Sequence, residues 1–141
     1  MALPAREEIN VYDSLDERVA CDHFLGKSLE QAEALFRENS LYYQEDLLWM
    51  GPVAFRFYVH SFINYIQTDS AAAESDVSCF ASILDHRLEF ESGELIAIAM
   101  SLATTCRKVL NQFDRYSCQP ESYGDLRRRL ESLVQRLSDL E

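Results

Sequence analysis

The sequence predicts an all-α protein, a single-domain bundle of six or seven helices. Apolar residues recur every three or four positions along most of the 141-residue chain, which is the period of an amphipathic helix. No segment sustains the two-residue alternation of a half-buried strand. The 4 glycines and 3 prolines are too few for the many turns of a β protein. The length is that of one domain, expected to span residues 1–141 with residues 1–10 as a flexible N-terminal segment.

Helix-breaking and helix-capping residues divide the first half of the chain into four predicted helices. Gly26 is expected to end the first helix, and Ser28 with Gln31 forms a capping box that begins the second. The dipeptide Gly51-Pro52 separates the third helix from the fourth. The predicted helices cover about residues 13–25, 28–39, 41–50 and 52–67. Their expected buried residues include Leu15, Val19, Phe24 or Leu25, Phe36, Tyr43, Leu47, Met50, Phe55, Val59 and Phe62.

A linker over residues 68–74 and three further helices are predicted in the second half. The helices cover about residues 76–88 and 94–116, and the last begins near Ser122. The run Leu95–Met100 is apolar on every side, which predicts a place in the middle of the bundle. The last helix has leucines at alternating spacings of four and three, the seam of a coiled-coil-like packing. This seam, which also allows a homodimer, consists of Leu126, Leu130, Leu133, Leu137 and Leu140.

The charge of the chain is strongly and unevenly negative. There are 24 acidic and 13 basic residues, and the formal net charge is −11. Residues 1–50 carry 11 acidic and 4 basic side chains, whereas residues 101–141 are close to neutral. A nucleic-acid partner is therefore not expected. The acidic residues form either a solvated surface that keeps the protein in solution or a face that recognises a basic partner.

The sequence predicts a cytoplasmic protein with no membrane partner. The N-terminus has no apolar core of a signal peptide, and the longest apolar run, Leu95–Met100, is far too short to span a bilayer. The four cysteines are widely spaced and form no Cys-x-x-Cys pair, so we expect them to stay reduced.

No catalytic residue, cofactor or metal site is predicted. Gly26-Lys27-Ser28 matches the end of a phosphate-binding loop, but Cys21 occupies the position of its first glycine. Cys21, Asp22 and His23 are adjacent on a helix, point in different directions and cannot form a relay. The three histidines lack the spacing of a metal-binding helix, and His60 lies on the polar stripe of its helix.

A binding surface is predicted on the third helix. Tyr42, Glu45, Asp46 and Trp49 lie together on a face distinct from the inward stripe of that helix. Aromatic residues beside carboxylates combine charge with the residue types that dominate binding energy at protein interfaces. The alternative is that the two aromatic side chains pack on a neighbouring helix while the acids are solvated.

Two runs of sequence, DHFLGKSLEQA at residues 22–32 and YQEDLLWMG at residues 43–51, resemble segments of an uncharacterised family of small acidic bacterial proteins. The resemblance covers about residues 10–115. It implies no reaction and supplies no catalytic residues. The size and acidity are also similar to those of bacterial immunity and contact-inhibition partner proteins, although no residue motif carries this second likeness.

Three functions are consistent with these features. The first, which we favour, is a protein-binding module that recognises another protein of basic character, as an immunity-type or regulatory partner does. The second is an enzyme or small-molecule binder with a pocket inside the bundle near His23 or His60. The third is a structural protein whose task is oligomerisation. An enzyme is less expected than a binding protein, because no constellation of catalytic residues is present.

Overall fold

The computed structural model describes residues 2–69, 72–116 and 120–141, and within these ranges the chain is helical with no strand. The all-α prediction is therefore confirmed. The described residues form seven α-helices and two 3₁₀-helices. The α-helices are α1 Arg6–Ile9, α2 Leu15–Phe24, α3 Leu29–Trp49, α4 Pro52–Thr68, α5 Glu74–Glu91, α6 Ala99–Asn111 and α7 Pro120–Ser138. The 3₁₀-helices are Ser92–Ile98 and Phe113–Tyr116.

The helices group into two compact units, Met1–Tyr65 and Ile66–Glu141. The boundary lies inside α4, whose first part belongs to the first unit. That the whole chain acts as a single domain stays a prediction.

An aromatic cluster forms the core of the first unit. Phe24, Phe36 and Phe62 are fully buried, and their rings meet in pairs with centroids 5.3 to 5.8 Å apart. The buried Tyr58 hydroxyl lies 2.8 Å from the carbonyl oxygen of Phe24 and 2.9 Å from that of Lys27, so its proton can be donated to either. Tyr58 thus places a hydrogen-bond donor beside carbonyls at and just after the C-terminal end of α2, where the last carbonyls of a helix have no donor within it.

The connection between α2 and α3 has the helix end and the capping box that the sequence predicts. Gly26 has a φ of +78°, the left-handed conformation that ends a helix and that glycine adopts without strain. Ser28 Oγ accepts a hydrogen bond from the amide of Gln31 at 3.1 Å, and Gln31 Oε1 accepts one from the amide of Ser28 at 2.8 Å. The predicted capping box is confirmed.

A kink at Asn39 divides α3 where the sequence predicts a break between two helices. Asn39 has the non-helical angles φ −159° and ψ 85°. Its side-chain oxygen accepts a hydrogen bond from the amide of Tyr42 at 3.3 Å and so caps the second part of the helix. We call residues 40–49 the second half of α3, because the kink gives this part its own direction.

The N-terminal segment contains a short helix. Residues 6–9 form α1, Ile9 is fully buried, and its carbonyl accepts a hydrogen bond from the amide of Gly51 at 2.9 Å. Pro4 and Ile9 are buried, whereas Ala2, Leu3, Ala5, Arg6 and Glu7 are exposed, and the flexibility of residues 1–10 stays a prediction. The signal in the sequence is Glu8, whose carboxylate accepts a hydrogen bond from the amide of Ala5 at 2.8 Å and caps α1.

The buried stripe of α2 also differs from the prediction. Leu15 is 73% exposed and Val19 is exposed as well, so both lie on the outer side of the helix. The buried residues of α2 are Glu17, Ala20, Cys21 and Phe24. The large aliphatic residues suggested the wrong face, because the close approach of neighbouring backbone favours small side chains and a hydrogen-bonded carboxylate on the inner side.

The second unit contains α5, α6 and α7, and α6 packs mainly on α7. Leu126, Leu130, Leu133 and Leu137 are buried, as the seam predicts, whereas Leu140 is partly exposed. The hydroxyl of Tyr116 donates a hydrogen bond to the carbonyl of Ile66 at 3.0 Å. The predicted cap at Ser122 concerns a side chain outside those described, and the predicted linker lies partly outside the described residues.

The long predicted helix over residues 94–116 is divided into three pieces. Its first part is a 3₁₀-helix, in which three residues complete a turn. Leu95 and Ile98 are therefore on the same, buried side, while Ile96 is exposed and Met100 is 67% exposed. The expectation that Leu95–Met100 lies in the middle of the bundle is wrong for these outward residues.

The contact between Gly51 and α1 leads to a stability prediction. A Cβ at Gly51 would overlap the carbonyl oxygen of Glu8 and lie 2.6 Å from Cγ2 of Val11. We expect Gly51→Ala to lower the free energy of unfolding by about 1–3 kcal/mol, because backbone must shift to make room. The measurement is urea denaturation. Gly93→Ala is the matched control, since no atom lies within 4 Å of its added Cβ. Equal stability of the two variants would contradict the close packing of α1.

Candidate functional site

The four residues of the predicted binding surface all lie on the second half of α3, but they are not equally exposed. Tyr42 is 51% exposed, Trp49 is 41% exposed, and Glu45 is also exposed. Asp46 is only 4% exposed. The predicted pair of surface carboxylates is thus corrected to one surface carboxylate, Glu45, beside a buried one.

Asp46 pairs with His23 of α2. Its Oδ2 lies 2.6 Å from Nδ1 of His23. The imidazole also meets two aromatic rings of α3, with centroid distances of 5.4 Å to Tyr42 and 5.1 Å to Tyr43. Three side chains of α3 therefore hold His23, and through it α2, in a defined position.

The charge state of Asp46 is set mainly by burial, which raises its pKa to about 6. The hydrogen bond and the charge of His23 act in the opposite direction and lower the pKa. The negative charges of Glu45 and Asp16 raise it again.

His23 and Asp46 join two exposed stripes into one face. Leu15, Val19 and His23 are four residues apart and form one stripe of α2, while Asp46 lies between Tyr42 and Trp49 on α3. His23 and Asp46 are paired where the two stripes meet, and Leu15, Val19, Tyr42 and Trp49 are exposed. We call this surface the α2–α3 face, and its exposed apolar residues are Tyr12, Leu15, Val19, Tyr42 and Trp49.

A second buried carboxylate shapes the edge of the α2–α3 face. Glu17 accepts hydrogen bonds from the amides of Val11, Tyr12 and Ser14 at 2.8 to 3.0 Å and from the Ser14 hydroxyl at 2.7 Å. Burial raises the pKa of Glu17, but these hydrogen bonds outweigh it and hold the pKa below the usual value. The loop that carries Tyr12 outward is therefore tied to α2.

Sequence reasoning missed the contribution of α2 to this surface. It placed Leu15 and Val19 in the core and left His23 without a partner. The signal that could have found the face is the capping box of Ser14 and Glu17, which defines the start of α2. Counting from that start, the small residues Ala20 and Cys21 form the inner stripe with Phe24, and Leu15 and Val19 fall outside it.

A separate cavity of about 380 Å³ lies beside α4 in the first unit. Val53, Arg56, Phe57 and His60 follow a spacing of three and four residues, so they form one stripe of α4 along the cavity. The opposite wall comes from residues 2–4, Glu8 and Leu29. His60 is thus a cavity residue, whereas His23 is not part of this lining.

The electrostatics of the cavity depend on its two basic residues. Burial lowers the pKa of His60, so its imidazole is neutral at neutral pH. Arg56, one turn earlier on α4, supplies the positive charge. Glu8 faces them, but its carboxylate already accepts the hydrogen bond from the amide of Ala5.

Chemistry at the triplet of residues 21–23 is not supported by its geometry. The Cys21 thiol is buried, burial raises its pKa, and it lies 3.7 Å from the carbonyl oxygen of Arg6. The partner of the His23 imidazole is Asp46 rather than the adjacent Asp22. Of the cysteines, Cys118 lies outside the described residues, and the other three are not in disulfides.

Neither a cluster of metal ligands nor a membrane-spanning helix is found in the described part of the chain. No group of three or more histidine, cysteine, aspartate or glutamate side chains within residues 2–69, 72–116 and 120–141 has the arrangement of a metal site. In the same ranges, no helix has both the length and the apolar character needed to cross a bilayer.

The comparisons with known proteins found no matching family model, no matching curated protein and no matching solved structure. The resemblance of residues 10–115 to a family of small acidic bacterial proteins therefore stays a prediction.

The burial of Asp46 leads to a titration prediction. We expect its carboxyl ¹³C resonance to titrate with a midpoint near 6. His23→Gln should raise the midpoint further, because His23 lowers the pKa, whereas Glu45→Gln should lower it by removing a negative neighbour. A midpoint near 3.8, the usual pKa of an aspartate, in the wild type would contradict the burial of this group.

The same shift has a consequence for stability. A carboxyl whose pKa is higher in the folded than in the unfolded state stabilises the fold fully below pH 3.8, and this contribution is lost as pH rises through about 6. A pKa about two units higher in the folded state corresponds to a contribution of at most about 3 kcal/mol to the free energy of unfolding. We expect Asp46→Asn, compared with wild type by urea denaturation, to gain relative stability between pH 4 and pH 7. A constant difference across this range would contradict the shift.

Proposed function

We propose that this protein is an acidic binding module that recognises a basic protein through the α2–α3 face, as an immunity-type or regulatory partner does. The observation that supports this most directly is the exposure of four apolar side chains on two helices that His23 and Asp46 join, together with that of Tyr12 in the loop before α2. Large contiguous apolar surface that is exposed in a folded protein commonly marks an interaction site.

The charge around the face indicates the chemistry of the partner. Asp16, Asp22 and Glu45 are exposed beside the apolar residues. Residues 1–50, which contain the whole face, carry 11 acidic and 4 basic side chains. A partner with a basic rim around an apolar centre would therefore be steered to the face by charge and held there by aromatic contacts.

Capture from lysate of the native host tests this proposal. We expect immobilised wild-type protein to retain a basic partner that the double variant Leu15→Ser, Trp49→Ser does not retain, because the apolar centre of the face is lost. The matched control is Ile96→Ser, Met100→Ser, which removes the same number of exposed apolar side chains from the second unit. Retention of the same partner by the variant in residues 15 and 49 would contradict the assignment of the face.

The kinetics with the captured partner separate charge from contact. Glu45→Lys should slow association and reduce its dependence on salt, because long-range charge guides the encounter. Trp49→Ala should mainly speed dissociation, since short-range contact holds the complex. The measurement is surface plasmon resonance at two salt concentrations. Association of Glu45→Lys at the wild-type rate in both would show that Glu45 is only solvated. Asp46 is left unchanged, because a buried lysine would disturb folding.

Oligomerisation through α7, the third function considered, has less support in the structure. Four of the five leucines of the seam are buried within the chain, so a homodimer would have to use other residues of α7. Homodimerisation stays a prediction.

We also infer a second function, the binding of a small molecule, from the cavity beside His60. A volume of about 380 Å³ lies within the range of ligand-binding cavities in proteins. The cavity is formed by α4 and the N-terminal segment, so a ligand there leaves the exposed residues of the α2–α3 face uncovered.

A further inference from the structure

We propose that the cavity beside His60 binds a small monocarboxylate with an apolar tail, whose head group is held by Arg56 and His60. This inference deepens the second proposed function and is independent of the α2–α3 face. It rests on three features of the cavity. These are the apolar walls, the pair of nitrogen donors one turn apart on α4, and the hydrogen bond that the carboxylate of Glu8 already accepts from the amide of Ala5.

The walls of the cavity select an apolar tail. Six of the lining residues are hydrophobic or proline, and these are Ala2, Leu3, Pro4, Leu29, Val53 and Phe57. Pro4 is buried, whereas Leu3 and Val53 are partly exposed and lie where the cavity opens. An apolar tail in this space would remove its own surface and that of the walls from water, which is favourable roughly in proportion to the area buried.

The donors on α4 select a carboxylate head. A guanidinium carries five N–H groups, so Arg56 can bind a carboxylate and keep its contact within the protein. The neutral imidazole of His60, four residues further along the helix, has one N–H to donate. The two side chains can therefore offer hydrogen bonds to both oxygens of one carboxylate.

Glu8 does not oppose such a ligand as strongly as its charge suggests. Its Oε1 accepts the hydrogen bond from the amide of Ala5 at 2.8 Å, which holds the carboxylate at the N-terminus of α1. The many other acidic residues act on the ligand from longer distances. Physiological salt largely screens interactions between charges that are more than about 8 Å apart. A cationic head would instead be repelled by the charge of Arg56, and a neutral head would form weaker hydrogen bonds with the guanidinium than a carboxylate does.

Nuclear magnetic resonance of the His60 imidazole, with octanoate as the probe, tests this inference. We expect octanoate to shift the His60 resonances saturably and to raise the pKa of His60, because a neighbouring anion favours the protonated imidazole. 1-Octanol and octylammonium, which share the tail but differ in the head group, should bind at least about tenfold more weakly, since each loses the charged hydrogen bonds.

Two variants locate the binding. Arg56→Gln should weaken octanoate binding about tenfold or more, whereas Arg37→Gln, the same change at an exposed arginine of the first unit outside the cavity, should leave it unchanged. Val53→Trp should abolish binding by filling the cavity, and Val53 is exposed enough to accept the larger side chain without loss of folding. Circular dichroism verifies that each variant is folded.

The outcomes distinguish the ligand class from the existence of the site. Binding of 1-octanol at His60 as tightly as octanoate would overturn the carboxylate assignment and leave small-molecule binding supported. Failure of all three probes to shift His60 would overturn both the assignment and the second proposed function. Octanoate binding that survives Val53→Trp, or that Arg37→Gln weakens as much as Arg56→Gln, would place the ligand outside the cavity and also overturn the inference.

Discussion

The contact between His23 and Asp46 is the constraint on which the proposed interaction surface depends. The packing of Phe24 on Phe36 holds α2 against α3, and the pair of His23 and Asp46 adds a polar contact at the exposed edge of that packing. Burying a carboxylate costs free energy, and one partner with a partly exposed ring repays only part of that cost. The pair therefore acts chiefly on geometry: it fixes which residues of α2 lie beside Tyr42 and Trp49, and it leaves the apolar side chains facing outward.

Buried acids organise the first unit more than its overall charge suggests. Glu17 ties the loop of residues 11–14 to α2, and Asp46 ties α2 to α3. The two carboxyl groups have opposite pKa shifts, because Glu17 is surrounded by donors, whereas Asp46 has mainly one. Part of the acidity of the chain is thus structural, and the remaining surface carboxylates provide the field that would steer a basic partner.

Local sequence signals predicted much of the fold. The capping box at Ser28 and the glycine at position 26 are read from neighbouring residues, and both are found as expected. The prediction that the leucine seam of α7 is buried is correct for four of its five leucines, because an amphipathic period over many residues leaves the helix only one apolar side to bury. At Asn39 and in residues 92–98 the chain departs from a regular α-helix, which changes the side that each following residue presents. Ile96 and Met100 are exposed for that reason.

The sequence by itself determined the helical class, most helix boundaries, the acidic character, and that Tyr42, Glu45 and Trp49 share one side of a helix. Only the tertiary structure decided that Asp46 is buried, that His23 is its partner, and that Leu15 and Val19 lie outside. Only the tertiary structure, likewise, brought residues 2–4 against α4 to form the cavity beside His60. The physical reason is that capping and periodicity act between residues a few positions apart, whereas burial depends on which distant segment covers a side chain.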